Sequence, residues 1–366
     1  MRGGTSKAVF LNENHIPVSR DNWDKLILAL FGSPDKRQID GLGGGDILTS
    51  KCAIIGPSTR QDADIDYTFA QVGIEEDYVS YDINCGNISP SAGVYAIEEG
   101  FVRTTDPVTS VKIHNTNTNR VLIARIPTHN GKVLVEGDFQ FDGVPGTGAE
   151  IKLDYSQTFG SATGKLLPTG NVKDDIYIPS LKKTIEISVV DLANLCVYFR
   201  AKDIGLKGTE KPDEITPGHF ELFAEIREIV ADLIELPKSN ILLPFQIMVH
   251  EPEDYEVFST AQTVTKDEID FTGRMFAANS VHKAFPGTGS CCTAVAALIN
   301  GTIVNEVGMF KETKSTVRIG HPSGVITLNA EVVKTDGDNW VVNEVTFSRT
   351  ARRLMEGYAY ILQSRL

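Results

Sequence analysis

The sequence is poor in the features that mark disulfide-rich, metal-binding and membrane proteins. Its five cysteines (Cys52, Cys85, Cys196, Cys291 and Cys292) are scattered and form no C-x₂-C pair, which argues against a disulfide framework and a zinc cluster. No apolar run approaches the roughly 20 residues that span a bilayer, and the first residues lack the apolar segment of a signal peptide. We therefore expect a reduced, cytoplasmic protein without a membrane segment.

Positive charge is also scarce. The chain has 35 lysine and arginine residues against 48 aspartate and glutamate residues, a formal net charge of −13. Nucleic acids and anionic membranes attract basic surfaces, so neither is expected as a partner. An anionic ligand would need a local exception to this acidic field. With 366 residues and roughly 150 residues per domain, the length predicts two folded domains.

Glycine-rich stretches are present but match no nucleotide-binding motif. The run Gly41–Asp46 fails the dinucleotide fingerprint at its last glycine and leads into a strand-like segment. The run Gly160–Leu166 is one residue short of a P-loop and lacks the Ser or Thr after its lysine. The seven histidines form no H-E-x-x-H pair. We therefore predict neither a bound metal ion nor an organic cofactor.

Hydrophobic patterning predicts an α+β protein with many short strands and few helices. The predicted strands are Ala8–Leu11, Lys51–Ile55, Asp64–Gln71, Val111–Asn115, Val121–Ile126, Lys132–Val135, Ile185–Val190, Leu195–Arg200 and Val325–Val332. The predicted helices are Asp21–Phe31, Ser89–Glu99, His219–Ile234, Cys291–Ile299 and Thr350–Leu362, the last an amphipathic surface helix. The stretch Phe141–Val172, rich in Gly, Ser, Thr and Pro, is expected to connect two domains.

A weak internal repeat supports two similar domains. Asn84–Asn87 leads into the small residues of Ser89–Gly93, and Pro286–Ser290 leads into the small residues of Cys291–Ala297. Each is a polar loop that opens an apolar helix. The N-termini of such helices carry free N–H groups and a positive dipole end, which makes them natural anion sites if they face one cleft.

Two side chains near the first loop are candidates for chemistry. Cys85 precedes a helix, where the dipole and nearby N–H donors stabilise a thiolate. A buried packing cysteine is the alternative, which the polar, turn-forming neighbours disfavour. Lys51 stands at the mouth of a predicted strand. It is either a solvated edge charge or, beside a thiolate, a partner that shares a proton.

Further positive charge lies in two short segments. Arg2–Lys7 offers two cations, two hydroxyls and backbone N–H groups, a combination suited to carboxylates or phosphate. A disordered terminus is the alternative interpretation. His282 and Lys283 add positive charge just before the second loop.

These segments resemble the 2-methylaconitate cis-trans isomerase (PrpF) family. The matching segments run in order from end to end: Arg2–Lys7, Gly32–Asp35, Gln38–Gly44, Thr49–Lys51, Asp66–Val72, Asn84–Asn87, Thr169–Val172, Val190–Asp191, His282–Ala284, Gly320–Gly324 and Arg349–Gly357. That family is similar in fold to diaminopimelate epimerase, in which two pseudo-symmetric domains each wrap a curled β-sheet around a central helix, with the site in the cleft between them. The resemblance implies one domain over residues 1–183, to which 342–366 returns, and a second over 184–341, with the central helices after the two loops.

The resemblance also implies cofactor-independent proton transfer at a carbon acid, with Lys51 and Cys85 matching the family's catalytic positions. The implied substrates are small unsaturated di- or tricarboxylates such as 2-methylaconitate, aconitate, methylitaconate or oxalomesaconate, which react by cis-trans exchange or by a double-bond shift. The expected substrate contacts are Arg2, Gly4, Thr5, Ser6, Lys7, Asn84, Gly86, Asn87, His282, Lys283, Thr288, Gly289 and Ser290. The expected assembly is a monomer or a homodimer.

Two departures from the pattern leave alternatives open. Related epimerases carry a second catalytic cysteine where this chain has Pro286, which disfavours a symmetric two-thiol racemase. Family members also carry a short strand before the Arg2–Lys7 segment, so either the true start lies upstream of Met1 or this loop is less firmly held. The alternatives are a 4-oxalomesaconate-type keto-enol tautomerase, an amino- or hydroxy-acid racemase, and a non-catalytic metabolite-binding protein.

Overall fold

A computed structural model describes residues 1–81, 84–141, 143–237, 243–277, 280–335 and 339–366. The strands, in chain order, are β1 (Arg2–Gly3), β2 (Ser6–Asn12), β3 (Lys51–Pro57), β4 (Ile65–Val72), β5 (Val79–Ser80), β6 (Val108–Asn115), β7 (Arg120–His129), β8 (Lys132–Val133), β9 (Ile151–Asp154), β10 (Asp174–Ile178), β11 (Lys183–Leu192), β12 (Asn194–Arg200), β13 (Phe245–His250), β14 (Tyr255–Glu256), β15 (Thr263–Val264), β16 (Phe271–Ala277), β17 (Ser280–Val281), β18 (Lys314–His321), β19 (Gly324–Lys334), β20 (Trp340–Arg349) and β21 (Ala351–Arg352). The α-helices are α1 (Trp23–Phe31), α2 (Ser89–Glu98), α3 (Pro217–Leu233), α4 (Gly287–Leu298) and α5 (Ile303–Gly308).

The chain forms two compact units. The first unit comprises Met1–Asp154 and Ser348–Leu366, and the second comprises Tyr155–Phe347. The change of unit at residue 154 falls inside the glycine-rich stretch expected to connect domains, but 29 residues ahead of the predicted boundary at 183. Residues 155–183 go with the second unit because β10 pairs with β11 there and the loop after Gly160 closes onto Asp191.

The first unit contains a mixed eight-stranded sheet in the order β21-β1-β2-β3-β4-β6-β7-β9. Two pairings are parallel, β2 with β3 and β4 with β6, and the others are antiparallel. A parallel neighbour requires a crossover connection, and α1 and α2 lie in these two crossovers.

The second unit repeats this order of pairings. Its sheet runs β10-β11-β12-β13-β16-β18-β19-β20, with parallel pairings only between β12 and β13 and between β16 and β18 among the described residues. The crossovers contain α3 and α4. The direction of every pairing therefore matches that of the first unit, and the internal repeat indicated by the two loops extends over both sheets.

One helix in each unit is enclosed by its sheet. Every residue of α2 from Ser89 to Ile97 is buried, and the helix packs against strands from both ends of its sheet, including β1, β21, β7 and β9. Every residue of α4 from Thr288 to Leu298 is likewise buried, against β11, β12, β18 and β19. Small residues permit this close approach. The predicted α+β fold, a curled sheet around a central helix in each of two units, is confirmed.

The other long helix of each unit covers the outer face of the sheet. Trp23, Ile27 and Leu30 of α1 pack against outward-facing side chains of β3 and β4, among them Cys52 and Ala70. In the second unit, α3 covers its sheet with the apolar cluster Leu222, Phe223, Ile226 and Val230. Within the described residues, no helix combines the length and apolar character needed to cross a bilayer.

The predicted helix over Thr350–Leu362 is wrong. Ala351 and Arg352 form the short strand β21, which pairs with Gly3 and Arg2 of β1, and the next ten residues have no regular secondary structure. The apolar residues do recur at helical spacing, but pairing with β1 requires extended backbone at the start of the segment. A tertiary contact therefore overrides the local pattern.

The enclosed helix α2 predicts a sharp packing limit at Gly93. A Cβ at this position would lie 2.7 Å from Ile126 Cδ1 and 3.1 Å from Ala124 Cβ. We expect Gly93→Leu to lower the free energy of unfolding by about 1–3 kcal/mol through overpacking, as measured by urea denaturation. The control is Gly218→Ala in α3, where the nearest atom is Thr216 Oγ1 at 3.9 Å. Equal stability of Gly93→Leu and the wild type would contradict this packing.

Candidate active site

Strand register decides which way Lys51 points. Cys52, Ile54 and Ala70 pack in the cluster under α1, on the outer face of the sheet. Side chains alternate between the two faces of a strand, so Lys51 projects to the inner face, where α2 lies. Lys51 pairs in register with Ala8 of β2 and Gln71 of β4, and these two side chains share its face.

The Lys51 ammonium is buried and held by neutral groups. Lys51 is 6% exposed, and its Nζ donates a hydrogen bond to Gln71 Oε1 over 2.6 Å. The ring of Phe69 lies 5.3 Å from Nζ, an additional favourable contact for a cation. Gln71 Nε2 donates to the carbonyl of Ser50, which fixes the amide with its oxygen towards the lysine. The described residues offer Lys51 no carboxylate partner.

Cys85 lies in the loop that opens the enclosed helix α2. Its carbonyl accepts hydrogen bonds from the N–H groups of Ile88 and Ser89, both over 3.0 Å, and from Ser89 Oγ. The N–H groups of Gly86 and Asn87 donate to no described residue. The thiol is partly exposed. This loop therefore presents a thiol and two free donors at the positive end of a helix dipole.

The Arg2–Lys7 segment is ordered and rests on this loop. Strands β1 and β2 form a hairpin whose turn is Gly4–Thr5. Asn87 Nδ2 donates to Thr5 Oγ1 over 3.0 Å. A Cβ on Gly4 would lie 2.3 Å from Asn87 Oδ1, and Gly4 has φ +50, so both the contact and the backbone conformation require glycine. A less firmly held loop was one of two alternatives for this segment, and the structure shows β1 paired on both sides.

Ser6 brings an unpartnered hydroxyl to the same region. The residue is 2% exposed, and its Oγ has no hydrogen-bond partner among the described residues. Ser6, Ala8 and Phe10 alternate onto the inner face of β2, and the Phe10 ring packs on Tyr95 of α2 at 5.5 Å. Ser6 therefore faces the start of α2. The N–H of Thr5 also has no acceptor among the described residues. The β1–β2 hairpin therefore offers two free donors, this N–H group and the Ser6 hydroxyl.

An asparagine network ties the Cys85 loop to the sheet strand that carries Gln71. Asn115 Nδ2 contacts Asn84 Oδ1 at 3.4 Å and Asn117 Oδ1 at 3.1 Å. Asn117 in turn accepts from the N–H of Phe69 and donates to its carbonyl. The loop and the ring beside Lys51 are thus linked by amide hydrogen bonds within one unit.

Two arginines act on the hairpin and the loop. Arg349 Nε donates to Asn87 Oδ1 over 3.1 Å, and its guanidinium lies 5.3 Å from the centre of the Phe141 ring.

Arg2 makes different contacts. It donates to the carbonyl and hydroxyl of Thr350 at 2.8 and 2.7 Å and to the carbonyl of Gly4. Burial and then the neighbouring Arg352 lower the pKa of Arg2. Arg349 therefore supplies a cation at the loop, while Arg2 anchors the hairpin. Lys7 has an exposed side chain.

The predicted residues of the second unit surround the start of α4. Asn194 Nδ2 donates to Thr288 Oγ1 over 2.8 Å, and Ser290 Oγ bonds the Gly287 carbonyl within the first turn. A Cβ on Gly289 would meet Met275 Sδ at 2.8 Å. The N–H groups of Gly287, Thr288 and Gly289 have no described acceptor.

The His282–Lys283 segment reaches α4 through a turn. His282 Nδ1 accepts from the N–H of Ala284 over 3.2 Å, and Ser323 Oγ donates to the Lys283 carbonyl. Both His282 and Lys283 are exposed. The structure therefore places all five predicted residues of this unit in one neighbourhood.

Equivalent hydrogen bonds define the correspondence between the two helix starts. Ser89 N donates to the carbonyl of Cys85, and Ser290 N donates to that of Pro286 over 2.8 Å. Pro286 thus occupies the position of Cys85. Strand β13, which corresponds to β3, begins with Phe245 where β3 begins with Lys51. The repeat carries the thiol and the amine in the first unit alone.

The P-loop-like run Gly160–Leu166 closes onto a side chain of the protein itself. The N–H groups of Ala162 and Thr163 and the hydroxyls of Ser161 and Thr163 all donate to the buried Asp191 carboxylate. The P-loop-like run therefore encloses the protein's own carboxylate. Over the part of the chain that the structure describes, no cluster of three or more His, Cys, Asp or Glu side chains is arranged to hold a metal ion.

Sequence reasoning overlooked three amides and one cation. Gln71 and Arg349 lie in segments used for the family resemblance, but neither was given a role at the site. Asn115 and Asn117 belong to the run Asn115–Asn119, whose alternating asparagine and threonine at a strand end was an available signal. Register and loop proximity are needed to assign these side chains.

Comparison with known proteins gives matches along the whole chain. The family described as PrpF protein matches residues 1–362. A 3-methylitaconate isomerase from Eubacterium barkeri is 48% identical, with 100% of this chain and 97% of the relative covered. A 2-methyl-aconitate isomerase from Cupriavidus necator is 34% identical, with 99% and 96% covered. A crystal structure of methylitaconate-delta-isomerase superposes with a TM-score of 0.89 at 46% identity, with 100% of this chain and 95% of that chain covered.

The burial of the thiols predicts a single reactive cysteine. Cys52, Cys196, Cys291 and Cys292 are 0% exposed, and burial raises the pKa of Cys52 to about 12 and that of Cys196 well above its usual value. Because the thiolate is the nucleophile, we expect a disulfide reagent to titrate one thiol in the native chain and five after denaturation.

In Cys85→Ser the native signal is expected to disappear, whereas in the matched control Cys196→Ala it stays at one. Two rapidly reacting thiols in the native wild type, or one that survives in Cys85→Ser, would contradict the observed burial.

Proposed function

The chain belongs to the PrpF family and is an isomerase, and we propose that it moves an allylic proton in a small unsaturated di- or tricarboxylate. The identity of 48% to a 3-methylitaconate isomerase over the full chain favours methylitaconate as the first substrate to test. The observation that carries the proposal is Lys51, a buried amine on the inner face whose hydrogen-bond partner is a neutral amide.

The chemistry requires one base and a site for negative charge. In methylitaconate the proton on the carbon between the methyl and carboxylate groups is allylic, and its removal leaves a dienolate delocalised onto the conjugated carboxylate. Return of the proton to the methylene carbon moves the double bond and gives 2,3-dimethylbutenedioate. Rotation within the dienolate before the proton returns would give cis-trans exchange in a 2-methylaconitate-type substrate. No electron transfer occurs, so the proposed route needs no cofactor.

Lys51 is proposed as the base. A lysine paired with a carboxylate is held as the ammonium, whereas the amide oxygen of Gln71 orients Nζ without adding a counter-charge. The neutral amine accepts the allylic proton and the resulting ammonium returns it. Cys85 is proposed to assist as a second proton carrier at the start of α2, so the Lys51 and Cys85 pair remains the catalytic unit.

The free donors are proposed to bind the charge that spreads during the reaction. The N–H groups of Thr5, Gly86 and Asn87 and the Ser6 hydroxyl are fixed in the folded unit, so they can meet an oxyanion without reorganisation. Arg349, held by Asn87, adds a positive charge to this otherwise acidic protein. In the second unit, the N–H groups that begin α4, at Thr288 and Gly289, are proposed as anion-binding donors.

The distribution of these groups favours an isomerase over a racemase. A racemase with two bases needs one on each face of the reacting carbon. The positions that correspond to Cys85 and Lys51 in the repeat are Pro286 and Phe245, and neither side chain transfers protons. A reaction that takes and returns the proton from one side uses the groups that this chain has.

Proton NMR in D₂O tests the function directly. We expect methylitaconate to lose its allylic proton signal while the signals of a new isomer appear. The alternative substrates 2-methylaconitate, cis-aconitate and trans-aconitate are each tested in a separate sample. Lys51→Ala is expected to slow solvent exchange by about 10²–10⁴-fold, the usual contribution of a positioned base. The exposed Lys112→Ala is the matched control and should keep wild-type activity.

Cys85→Ser separates the two members of the pair. A smaller loss than in Lys51→Ala assigns the base to the lysine, and the reverse order assigns it to the thiol. Full retention of solvent exchange by both variants would refute the catalytic assignment. The absence of exchange with every substrate in the wild type would refute the proposed reaction.

The Gln71 contact predicts that this amide positions the proposed base. Gln71→Leu removes the oxygen that accepts from Lys51 Nζ, so Nζ is no longer held in place. We expect solvent exchange into methylitaconate to slow by about 10–10²-fold, the usual cost of a misplaced reacting group, as measured by proton NMR in D₂O. Gln71→Glu keeps an acceptor oxygen but places a carboxylate against Nζ, and it should also slow the exchange.

The matched control for added charge is Gln262→Glu at an exposed position of the second unit, which should keep wild-type exchange. Wild-type exchange rates in both Gln71 variants would contradict the positioning role of this amide.

A further inference from the structure

We propose that Gln38 is a positioning residue for the reaction, because its buried amide holds the segment that orients Gln71 and, through Gln71, the Lys51 amine. This role rests on the proposed function of Lys51 as the base. It also accounts for the glycine-rich run Gly41–Asp46, which matches no nucleotide-binding motif. All of these residues belong to the first unit.

Gln38 has an unusual backbone conformation for its residue type. Its φ angle is +49, in the left-handed region that favours glycine, and the residue is 1% exposed. A residue other than glycine persists in this conformation where its surroundings require it, and such positions cluster at functional sites. Glycine would fit the backbone better but has no amide. The occurrence of glutamine here therefore points to the contacts that its side chain makes.

The Gln38 amide is hydrogen-bonded at both ends. Its Oε1 accepts from Ser50 Oγ over 2.7 Å and from the N–H of Gly45 over 2.8 Å. Its Nε2 donates to Ser33 Oγ over 3.0 Å, and that hydroxyl donates to the carbonyl of Gly73 over 2.6 Å. Because a backbone N–H can only donate, the bond from Gly45 fixes which end of the amide is the oxygen. The amide therefore has a single orientation.

The glycine-rich run packs closely around this amide. A Cβ on Gly43 would lie 2.1 Å from Gln38 Oε1, and a Cβ on Gly44 would lie 2.2 Å from Thr49 Oγ1. Gly45 has φ +63, a second left-handed conformation in the same loop. Larger residues at these positions would displace the glutamine or the chain that surrounds it. The glycines therefore allow the loop to close onto the Gln38 amide.

The segment that Gln38 holds supplies the two carbonyl groups that orient Gln71. Gln71 Nε2 donates to the carbonyl of Ser50 over 2.9 Å and to that of Ile47 over 3.3 Å. Both hydrogens of this nitrogen are thereby used, and Oε1 accepts from Lys51 Nζ over 2.6 Å. Gln38, Ser50 and Gln71 are all buried, so water competes little for these bonds. A continuous series of hydrogen bonds therefore connects Gln38 with the amine.

The two carbonyl groups depend on Gln38 to different degrees. The Ser50 carbonyl also accepts from the N–H of Val72 over 3.0 Å, so strand pairing helps to hold it. Ile47 lies in no strand, and the position of its carbonyl depends on the bonds of its own loop, among them the bond from Gly45 to Gln38. Loss of the Gln38 amide is therefore expected to loosen Gln71 without releasing it.

Steady-state kinetics with methylitaconate test the positioning role. Gln38→Asn keeps an amide and tolerates the left-handed backbone, but its side chain is one methylene group too short for the bonds at both ends. We expect kcat to fall about 10-fold while KM changes less than about threefold, because the base is misplaced and the proposed anion-binding donors are not. The matched control is Thr49→Val, which removes a hydrogen bond to the Asp46 carbonyl in the same loop and should keep wild-type kcat and KM.

A double variant decides whether Gln38 acts through Gln71. Once Gln71→Leu has removed the amide that holds Nζ, adding Gln38→Asn should lower kcat by less than about twofold further, because residues that act through one another are not additive. An equal loss of kcat in both backgrounds would overturn the proposal, as would wild-type kcat in Gln38→Asn. A comparable loss in Thr49→Val would also overturn it, since any loosening of the loop would then have the same effect.

A measurement without substrate separates this proposal from the proposed function. In ¹⁵N-labelled protein, the side-chain amide signals of Gln71 are assigned by their loss in Gln71→Leu. Their hydrogen exchange is expected to be about 10-fold faster in Gln38→Asn than in the wild type, because the bonds that protect them open more often. Thr49→Val should leave it unchanged.

The two proposals can fail independently. Unchanged exchange of the Gln71 amide in Gln38→Asn would refute the role of Gln38, whereas a wild type that is inactive with every substrate would refute the proposed function. If Gln38→Asn does not fold, Ser50→Ala takes its place. This variant removes one hydrogen bond to the Gln38 amide and leaves both carbonyl groups, so the same changes in kcat and amide exchange are expected in the same directions.

Discussion

The site depends on the register of three neighbouring strands. Because β2, β3 and β4 pair so that Ala8, Lys51 and Gln71 are aligned, the lysine projects towards the enclosed helix and the adjacent Cys52 projects into the core beneath α1. A slip of one residue would exchange these two side chains between the faces. The apolar residues that alternate with Lys51 fix the register, so packing of the outer face holds the amine on the inner one.

The enclosed helices extend this constraint to the loops. A helix surrounded by its own sheet needs small residues along its length, and its first turn must end at a defined place on the rim of the sheet. In the first unit that place brings together the Cys85 loop, the β1–β2 hairpin and Arg349, joined through the amide of Asn87. A polar side chain that bonds on two sides thus fixes the distance between segments far apart in sequence.

The two units show how one architecture can hold unequal chemistry. Both sheets have the same order of parallel and antiparallel pairings, and both central helices begin with free N–H groups. The second unit keeps those donors but has Phe245 and Pro286 at the positions of the amine and the thiol. The free N–H groups recur in both units because they are backbone groups at a helix start, whereas the amine and the thiol are side chains whose counterparts in the second unit are a phenyl ring and a pyrrolidine ring.

The sequence by itself determined the α+β class, nearly all of the predicted strands, four of five helices and the two polar loops that open the central helices. Those features depend on local periodicity and turn residues, which neighbouring positions report. Tertiary structure alone decided that Gln71 orients Lys51, that Asn115 and Asn117 link the Cys85 loop to β4, and that Arg2 bonds to Thr350. It also made residues 351–352 a paired strand and left residues 353–362 without regular secondary structure, where a helix was predicted. These outcomes depend on contacts between segments that are distant in sequence. The spacing of apolar residues within one segment carries no information about a distant strand that pairs with it.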